Sequence, residues 1–585
     1  MISQKSHSLK LFFVENFFTL TAAFCATFLS VSFYSNEASA LFVPTLSASV
    51  DQANLQINGN QVINSTNKTT EIPLNLTVNT NNKTGYTATL NSETDETALV
   101  NAGSTSGAKI DSISNDLSLN NLPNNTWGYK FGASSNYAPI PALSTPAQIL
   151  QTTGKTNGNE SNQLSIGMKL TDNLESGNYQ NKLILSFVSN PYTPIAIMTK
   201  GRDFNNKLKS LETTTNEIEH FKKSAVAPAT SMNAVNIEDE DSDYEIKLWL
   251  DPADKTAYYY TETEKVYLNT DSSKMFYDMR SLTSLNLSNF DTSKVTNMQY
   301  MFSVMYNLTT LNLSNFDTSK VEDMDNMFYY ASSLTTLDLS NFDTSKVTDM
   351  SAMLASMRSL TSLNLSNFDT SKVTDMSSMF WGVSNLITLN LSNFNTSNVT
   401  NMSYMFASMR SLTSLNLSSF DTSKVTDMHA MFSGMTSLTV LDLSNFDTSQ
   451  VTTMQSMFSD ISNLTTLDLS NFDTSKVTDM YQMFSDMSNL TSLSLSNFDT
   501  SKVTNMGAMF YLEDADMPKD KLEIIYVNND FNTASLTSAY KMFKNRKKLR
   551  GGNGSYLSNP STADKTWLRI DDPAHGRPGY FTRKP

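Results

Sequence analysis

The stretch from Leu282 to Phe302 reads LTSLNLSNFDTSKVTNMQYMF, and its pattern returns with little change as far as residue 510. A fixed period of this kind predicts a solenoid, because each unit is too small to bury its own apolar face and buries it against its neighbours. The phenylalanine of the pattern marks the period, since its nine copies recur at one constant interval: Phe290, Phe316, Phe342, Phe368, Phe394, Phe420, Phe446, Phe472 and Phe498.

Each unit changes its apolar period part-way along. Leu285 and Leu287 flank Asn286, which is typical of a short strand with one buried face. The apolar residues that follow are spaced by three or four, as on one side of a helix: Val295, Met298, Phe302 and Met305. The sequence therefore predicts an α/β solenoid in which every coil has one strand of a parallel β-sheet, a turn and a short helix.

The second half of the unit carries a family resemblance. Met301-Phe302-Ser-Val-Met305 resembles the M-F-x-x-C element of BspA-like leucine-rich-repeat surface proteins, with methionine in place of cysteine. The resemblance extends over residues 244–585. It implies a leucine-rich-repeat fold and a role in binding or adhesion at a bacterial cell surface.

The first 40 residues have the features of an export signal. Lys5 and Lys10 precede an apolar run over residues 17–33, and Ala38-Ser-Ala40 is a signal-peptidase motif. A secreted or cell-surface protein is the expectation, and an uncleaved N-terminal anchor is the alternative. Cys25, the single cysteine, lies inside this segment, so the mature chain is expected to lack thiols and disulfides.

The remaining sequence suggests further parts around the repeats. Apolar residues alternate with polar ones at Ile72, Leu74, Leu76 and Val78, and turn-rich segments separate similar runs, which predicts an antiparallel β-sandwich. The predicted divisions are a signal peptide over 1–40, the β-sandwich over 41–199, a linker with a short helix and an acidic run over 200–243, an N-terminal cap over 244–281, nine repeats over 282–510, and a degenerate repeat with a C-terminal cap over 511–585.

Composition and motifs argue against several functions. The net charge of −15 and the pI near 4.8 disfavour nucleic-acid partners, and membrane contact is expected only if the signal is uncleaved. His220, His429 and His575 are dispersed, and no phosphate loop or hydrolase motif occurs, so no enzyme activity, cofactor or metal is expected. The repeated Asp291 position could suggest calcium, but lysines three residues on favour a capping role.

Three function classes remain: adhesion, a structural spacer or self-associating protein without a specific ligand, and an enzyme. Adhesion is favoured, with a host extracellular protein, a glycan or a partner cell as the ligand. Two sets of candidate contacts stand out, and the aromatic set is expected to contribute more to specificity. The aromatic set is Tyr300, Tyr306, Tyr329, Tyr330, Trp381 and Tyr404, and the polar row is Asn286, Asn312, Asp338, Asn364, Asn390 and Asn416.

Overall fold

The computed structural model describes residues 7–15 and 44–585. The predicted apolar run, cleavage motif and Cys25 lie outside these described residues. The chain divides into two compact units, one ending at Pro194 and the other running from Ile195 to Pro585.

Among its described residues, the first unit contains one mixed sheet of eleven strands and a one-turn helix, α1 (Gly59–Ile63). Its strands are β1 (His7–Glu15), β2 (Leu46–Val50), β3 (Asn54–Asn58), β4 (Thr69–Thr80), β5 (Tyr86–Ser92), β6 (Leu99–Asn101), β7 (Lys109–Ser112), β8 (Thr126–Phe131), β9 (Ala147–Gln151), β10 (Glu160–Lys169) and β11 (Gly177–Ser189). A short 3₁₀ helix covers Leu119–Asn121.

This sheet corrects the predicted antiparallel sandwich. Most neighbours are antiparallel, but β1 pairs with β11 in parallel and β7 pairs with β8 in parallel, so the described strands form a mixed sheet. The alternation around Leu74 and Leu76 does correspond to a strand, β4, and both side chains are fully buried beside Trp127. Period-2 patterning located the strand but held no information about the direction of its neighbours.

The second unit is also mostly strands and turns, with one regular helix, α2 (Gly201–Lys209), among its described residues. Its strands are β12 (Ala196–Ile197), β13 (His220–Lys223), β14 (Val235–Asn236), β15 (Lys247–Asp251), β16 (Thr256–Tyr260), β17 (Val266–Tyr267), β18 (Ser284–Leu285), β19 (Phe290–Asp291), β20 (Thr336–Asp338), β21 (Ser362–Asn364), β22 (Ser414–Leu415), β23 (Val440–Leu441), β24 (Ser492–Ser494), β25 (Ile524–Val527) and β26 (Phe581–Arg583). Short 3₁₀ helices cover Thr230–Met232, Met517–Lys519, Pro560–Thr562, Lys565–Trp567 and Pro573–His575.

Neighbouring repeats pair in parallel, and the paired residues are separated by one full period of the sequence. Strand β20 pairs with β21 through Thr336 and Ser362, and single bridges such as Asp349 to Asp375 follow the same offset. The residues of the predicted linker belong to this unit as well, since Phe204 and Phe221 are buried in its continuous core. We refer to residues 270–552 as the repeat array.

The predicted α/β leucine-rich-repeat solenoid is wrong, because no helix occurs between residues 282 and 510. In the first repeat Tyr300 and Val304 have φ of 56° and 61°, values that a right-handed helix does not tolerate. The N–H groups of Met301 and Ser303 close tight turns within the repeat, whereas those of Tyr300, Phe302 and Val304 donate to carbonyl groups of the next repeat. The backbone thus satisfies its hydrogen bonds half locally and half between repeats.

The turns still bury the apolar residues that suggested a helix. Met298, Phe302 and Met305 are inaccessible to solvent, and the rings of Phe302 and Phe328 stack with centroids 5.7 Å apart. The same stacking continues from Phe380 to Phe543. Between Phe328 and Phe380 the equivalent residue is Leu354, so the ring is missing in that repeat. Apolar residues spaced by three and four therefore indicate which side of the chain is buried. In this protein the backbone that carries them is a series of turns.

Candidate binding surfaces

All six side chains of the polar row are exposed, but only Asp338 and Asn364 lie in strands, at the ends of β20 and β21. The side chains of the row also take part in backbone turns. Asn364 Oδ1 accepts a hydrogen bond from the Ser366 N–H at 3.2 Å, and Asp338 Oδ1 accepts one from Ser340 at 3.0 Å. This bond lowers the pKa of Asp338. The same contact recurs at the other four members of the row, Asn286, Asn312, Asn390 and Asn416. One oxygen of each side chain is therefore already engaged.

Four of the six predicted aromatic residues lie together, and Tyr277 joins them. Ring centroids are 4.6 Å apart for Tyr329 and Tyr330, 6.0 Å for Tyr306 and Tyr330, and 5.9 Å for Tyr277 and Tyr300. Burial, followed by the neighbouring Tyr330, Tyr306 and Tyr277, raises the pKa of Tyr329. Tyr329 therefore lies near rings of both pairs, Tyr306 with Tyr330 and Tyr277 with Tyr300. We call these five half-buried residues, Tyr277, Tyr300, Tyr306, Tyr329 and Tyr330, the tyrosine patch.

Cationic side chains lie over the rings of the tyrosine patch. Lys274 Nζ is 5.2 Å from the Tyr300 centroid, and the guanidinium carbons of Arg280 and Arg358 are 5.6 Å and 5.8 Å from the rings of Tyr306 and Tyr330. Lys209 Nζ is 5.2 Å from the centroid of the fifth ring, Tyr277. These distances are in the range of cation–π attraction.

One carboxylate, that of Asp278, is paired with two of these cations. It accepts from Arg280 Nε at 2.6 Å and lies 3.3 Å from Lys209 Nζ. Burial opposes ionisation of this carboxyl, but the hydrogen bond from Arg280 and the charge of Lys209 outweigh it and lower its pKa. Asp325 lies near Tyr300. Burial, followed by the negative charge of Asp325, raises the pKa of the Tyr300 hydroxyl.

The period of the repeat explains this clustering. Lys274 and Tyr300 are one period apart and occupy the same left-handed turn position, with φ of 60° and 56°. Arg280, Tyr306 and Arg358 share another position, because whole periods separate them. Sequence reasoning selected the tyrosines but missed Lys274, Tyr277, Arg280 and Arg358, although writing the repeats one above the other would have placed these residues beside them.

The two remaining aromatic candidates lie elsewhere on the array. Trp381 occupies the same repeat position as Tyr329 but two repeats further on, with the buried Ala355 between them. Tyr404 contacts His429, with 4.7 Å between ring centroids and 2.8 Å from the hydroxyl to Nε2. Burial lowers the pKa of His429, against the effect of Asp427. This pair is therefore a local contact, separate from the tyrosine patch.

Within residues 7–15 and 44–585, no group of three or more His, Cys, Asp or Glu side chains is arranged to hold a metal ion. The repeated Asp position instead caps a turn, as in Asp421, whose Oδ1 accepts from the Ser423 N–H at 3.0 Å. No helix in the described part of the chain has the length and apolar character needed to span a bilayer.

Two sets of aspartates in the array should respond to pH in opposite directions. Bonds from Ser423 lower the pKa of Asp421, so its contribution to stability is present above the unfolded pKa, about 3.9, and is lost as pH falls. Burial and the nearby Asp486 raise the pKa of Asp460, so its contribution is present at low pH and is lost as pH rises through its folded pKa.

We therefore expect Asp460→Asn to stabilise the protein at pH 7 by roughly 0.2 to 1 kcal/mol, the size of one side-chain pair interaction between neighbouring chain segments. The gain should shrink at pH 3, where both carboxyls are protonated. Thermal melts at pH 7 and pH 3 measure the difference between the two gains in stability. Asparagine is favoured over aspartate at the left-handed φ of 57° to the same extent at both pH values, so this backbone effect cancels in the difference. Asp421→Asn is the control and should give no gain at pH 7; equal gains would contradict the assignment.

Comparison with known families corrects the predicted BspA-like leucine-rich-repeat assignment. A family model described as "Mycoplasma protein of unknown function, DUF285" matches residues 270–364, 354–464 and 431–552. The chain is similar to this family. The matches overlap and together fall just short of half the chain, and they include the repeats that carry the tyrosine patch. No curated protein matches the chain.

Proposed function

We propose that this is an exported binding protein that contacts a host extracellular protein, a glycan or another cell through the tyrosine patch. The observation that supports the proposal is the meeting of five half-buried tyrosines with three cations of the repeats and with Lys209 at the end of α2. Tyrosine and arginine are the residue types most often found as energetic anchors of interfaces.

The packing beneath the patch favours this use. Met301, Phe302 and Phe328, which adjoin Tyr300 and Tyr329 in the sequence, are fully buried. Backbone hydrogen bonds between repeats fix the turns that carry these tyrosines. Contacts between rings and cations further restrict the side chains. Binding then costs less conformational entropy than it would with freely rotating side chains.

The test compares aromatic residues inside and outside the patch. A Tyr306→Ala, Tyr330→Ala double variant should lose at least about tenfold in affinity for a partner captured from serum or partner-cell extract, since anchor residues contribute about 2 kcal/mol or more. The matched control is Trp381→Ala, Tyr404→Ala, and Asn364→Ala, Asn390→Ala tests the polar row. A stronger loss from the asparagines would reject the patch as the main contact.

A structural spacer or self-associating protein is the second candidate. It is favoured by the polar row, whose oxygens serve the turns of the protein itself. In that case none of the three double variants would change capture from extracts, and any association would depend on the concentration of the protein alone.

Export is the remaining part of the proposal and has its own prediction. Cleavage after Ala40 gives a mature chain without a thiol, so reducing agents should leave its melting temperature unchanged. It would also remove β1, which pairs with β11 and β3. Mass spectrometry of the protein recovered from the source cell surface identifies the N-terminus. Retention of residues 7–15, or of a lipidated Cys25, would contradict cleavage at this site.

A further inference from the structure

We propose that the partner of the tyrosine patch is an acidic polysaccharide, whose sulfate or carboxylate groups pair with Lys274, Arg280 and Arg358. The inference rests on the binding role proposed above and specifies the chemistry of the ligand. The inference is supported by the charge of the patch, by the distribution of its cations and by the position of those cations over its aromatic rings.

The local charge is opposite to that of the chain. The protein as a whole has a net charge of −15, yet four cations contact the patch. Three carboxylates lie beside it: Asp278 is paired with two of the cations, and Asp323 and Asp325 lie near Tyr300. Lys274 and Arg358 form no ion pair within the described residues. A positive surface on an acidic protein attracts anionic ligands selectively to that place.

The cations follow the axis of the array. Arg280 and Arg358 occupy the same position in repeats three steps apart, with Tyr306 between them. Parallel chains lie about 4.8 Å apart, so the row extends over roughly 14 Å. This distribution suits an extended chain with several negative groups better than a single small anion. Guanidinium groups bind sulfate or carboxylate through paired N–H donors, which adds directional bonds to the charge attraction.

The rings of the patch favour a polysaccharide over an acidic peptide. A peptide partner would normally insert apolar anchors into desolvated pockets. Here a cation lies over each ring of Tyr277, Tyr300, Tyr306 and Tyr330, so positive charge and phenol hydroxyls accompany the aromatic surface. A hydrophilic chain with regularly placed anionic groups matches that surface.

The experiment measures binding of the full chain to four probes: heparin, hyaluronate, poly-glutamate and neutral dextran. The test variant is Lys274→Gln, Arg280→Gln, Arg358→Gln. Its matched control, Lys320→Gln, Lys346→Gln, Lys372→Gln, makes the same change in charge at exposed lysines of the same array. We expect heparin or hyaluronate to bind, the test variant to lose about tenfold or more in affinity, and the control to lose less than about threefold.

Arg358→Gln alone serves as the second variant, because it breaks no ion pair among the described residues and should retain the wild-type melting temperature. It should weaken binding by about threefold or more. Equal losses from the test and control triples, or tighter binding of poly-glutamate than of both polysaccharides, would overturn the inference; the latter would assign an acidic peptide.

Competition separates this inference from the proposed function. Heparin or hyaluronate should displace the protein from the captured partner or cell. If Tyr306→Ala, Tyr330→Ala abolishes capture while neither polysaccharide binds or competes, the patch remains the binding site and the acidic polysaccharide is rejected. If capture survives that double variant, the proposed function itself fails.

Discussion

Replacing Arg546 by alanine should destabilise the C-terminal end of the array by about 3 to 5 kcal/mol, the cost of removing one partner from a buried ion pair. We expect this to be among the largest effects of any single substitution in the protein. The reason lies in where the guanidinium is and in how many acceptors it serves.

Arg546 is buried at the point where the regular register of the repeats is interrupted. Its Nη1 lies 3.1 Å from Asp520 Oδ1, and both side chains are almost inaccessible to solvent. The same guanidinium donates to the backbone carbonyl groups of Phe510 at 2.6 Å, Met487 at 3.2 Å, Phe484 at 3.3 Å and Tyr511 at 3.5 Å. Alanine would leave a buried carboxylate without its cation and four carbonyl groups without this donor.

The measurement is calorimetric melting of the full chain, together with hydrogen exchange to locate the change, because two units need not unfold as one transition. Lys547→Ala is the control, since this neighbouring lysine is exposed and should change stability by less than about 0.5 kcal/mol. Arg546→Lys should recover part of the loss, because the charge remains while the fork of donors is lost. Similar stabilities for Arg546→Ala and Lys547→Ala would contradict the buried role.

Arg546 also shows what composition alone cannot reveal. In the sequence it stands among Lys541, Lys544, Lys547 and Lys548, a run that reads as a basic surface. The structure keeps the lysines at the surface or partly so and turns the arginine inward. A run of positively charged residues in the sequence does not show which side chains are solvated. It therefore does not reveal that Arg546 is buried and donates to backbone carbonyl groups of other turns.

The period of the repeat and the identity of the buried positions could be predicted, because burial depends on spacing that the sequence displays directly. Met298 and Phe302 are buried as their spacing requires. The backbone conformation could not be predicted in the same way. Consecutive tight turns and a helix both return to the same side after three or four residues, and the left-handed φ at Tyr300 and Val304 falls on residues that do not favour it.

The candidate surfaces show a similar division. Tyr300, Tyr306, Tyr329 and Tyr330 were selected because they vary within an otherwise uniform repeat, and the structure places them in one cluster. Trp381 and Tyr404 met the same criterion and lie apart from it. Two residues lie close together only if they belong to nearby repeats and also occupy nearby positions within the repeat. The cations of the patch can be predicted only when both conditions are applied.

The second large effect is expected in the middle of the array, where Leu365→Ala should cost about 2 to 5 kcal/mol. Leu365 is buried, and its repeat position is occupied by buried leucines on both sides, Leu339 and Leu391. A cavity there removes contacts from two neighbouring repeats at once. Asn364, one residue earlier, is exposed and has one bond to the Ser366 N–H, so Asn364→Ala should cost only about 0.5 to 1.5 kcal/mol.

Denaturant unfolding followed by fluorescence suits this comparison, since Trp381 lies in the same repeat as Leu365 and reports on that part of the array. Leu391→Ala provides an internal check, because an equivalent position should lose a similar amount of stability. The Leu365→Ala, Leu391→Ala double variant should deviate from additivity, as the two residues belong to adjoining repeats. Equal midpoint shifts for Leu365→Ala and Asn364→Ala would contradict the burial of Leu365 and the exposure of Asn364 at the end of β21, and with it the exposed polar row.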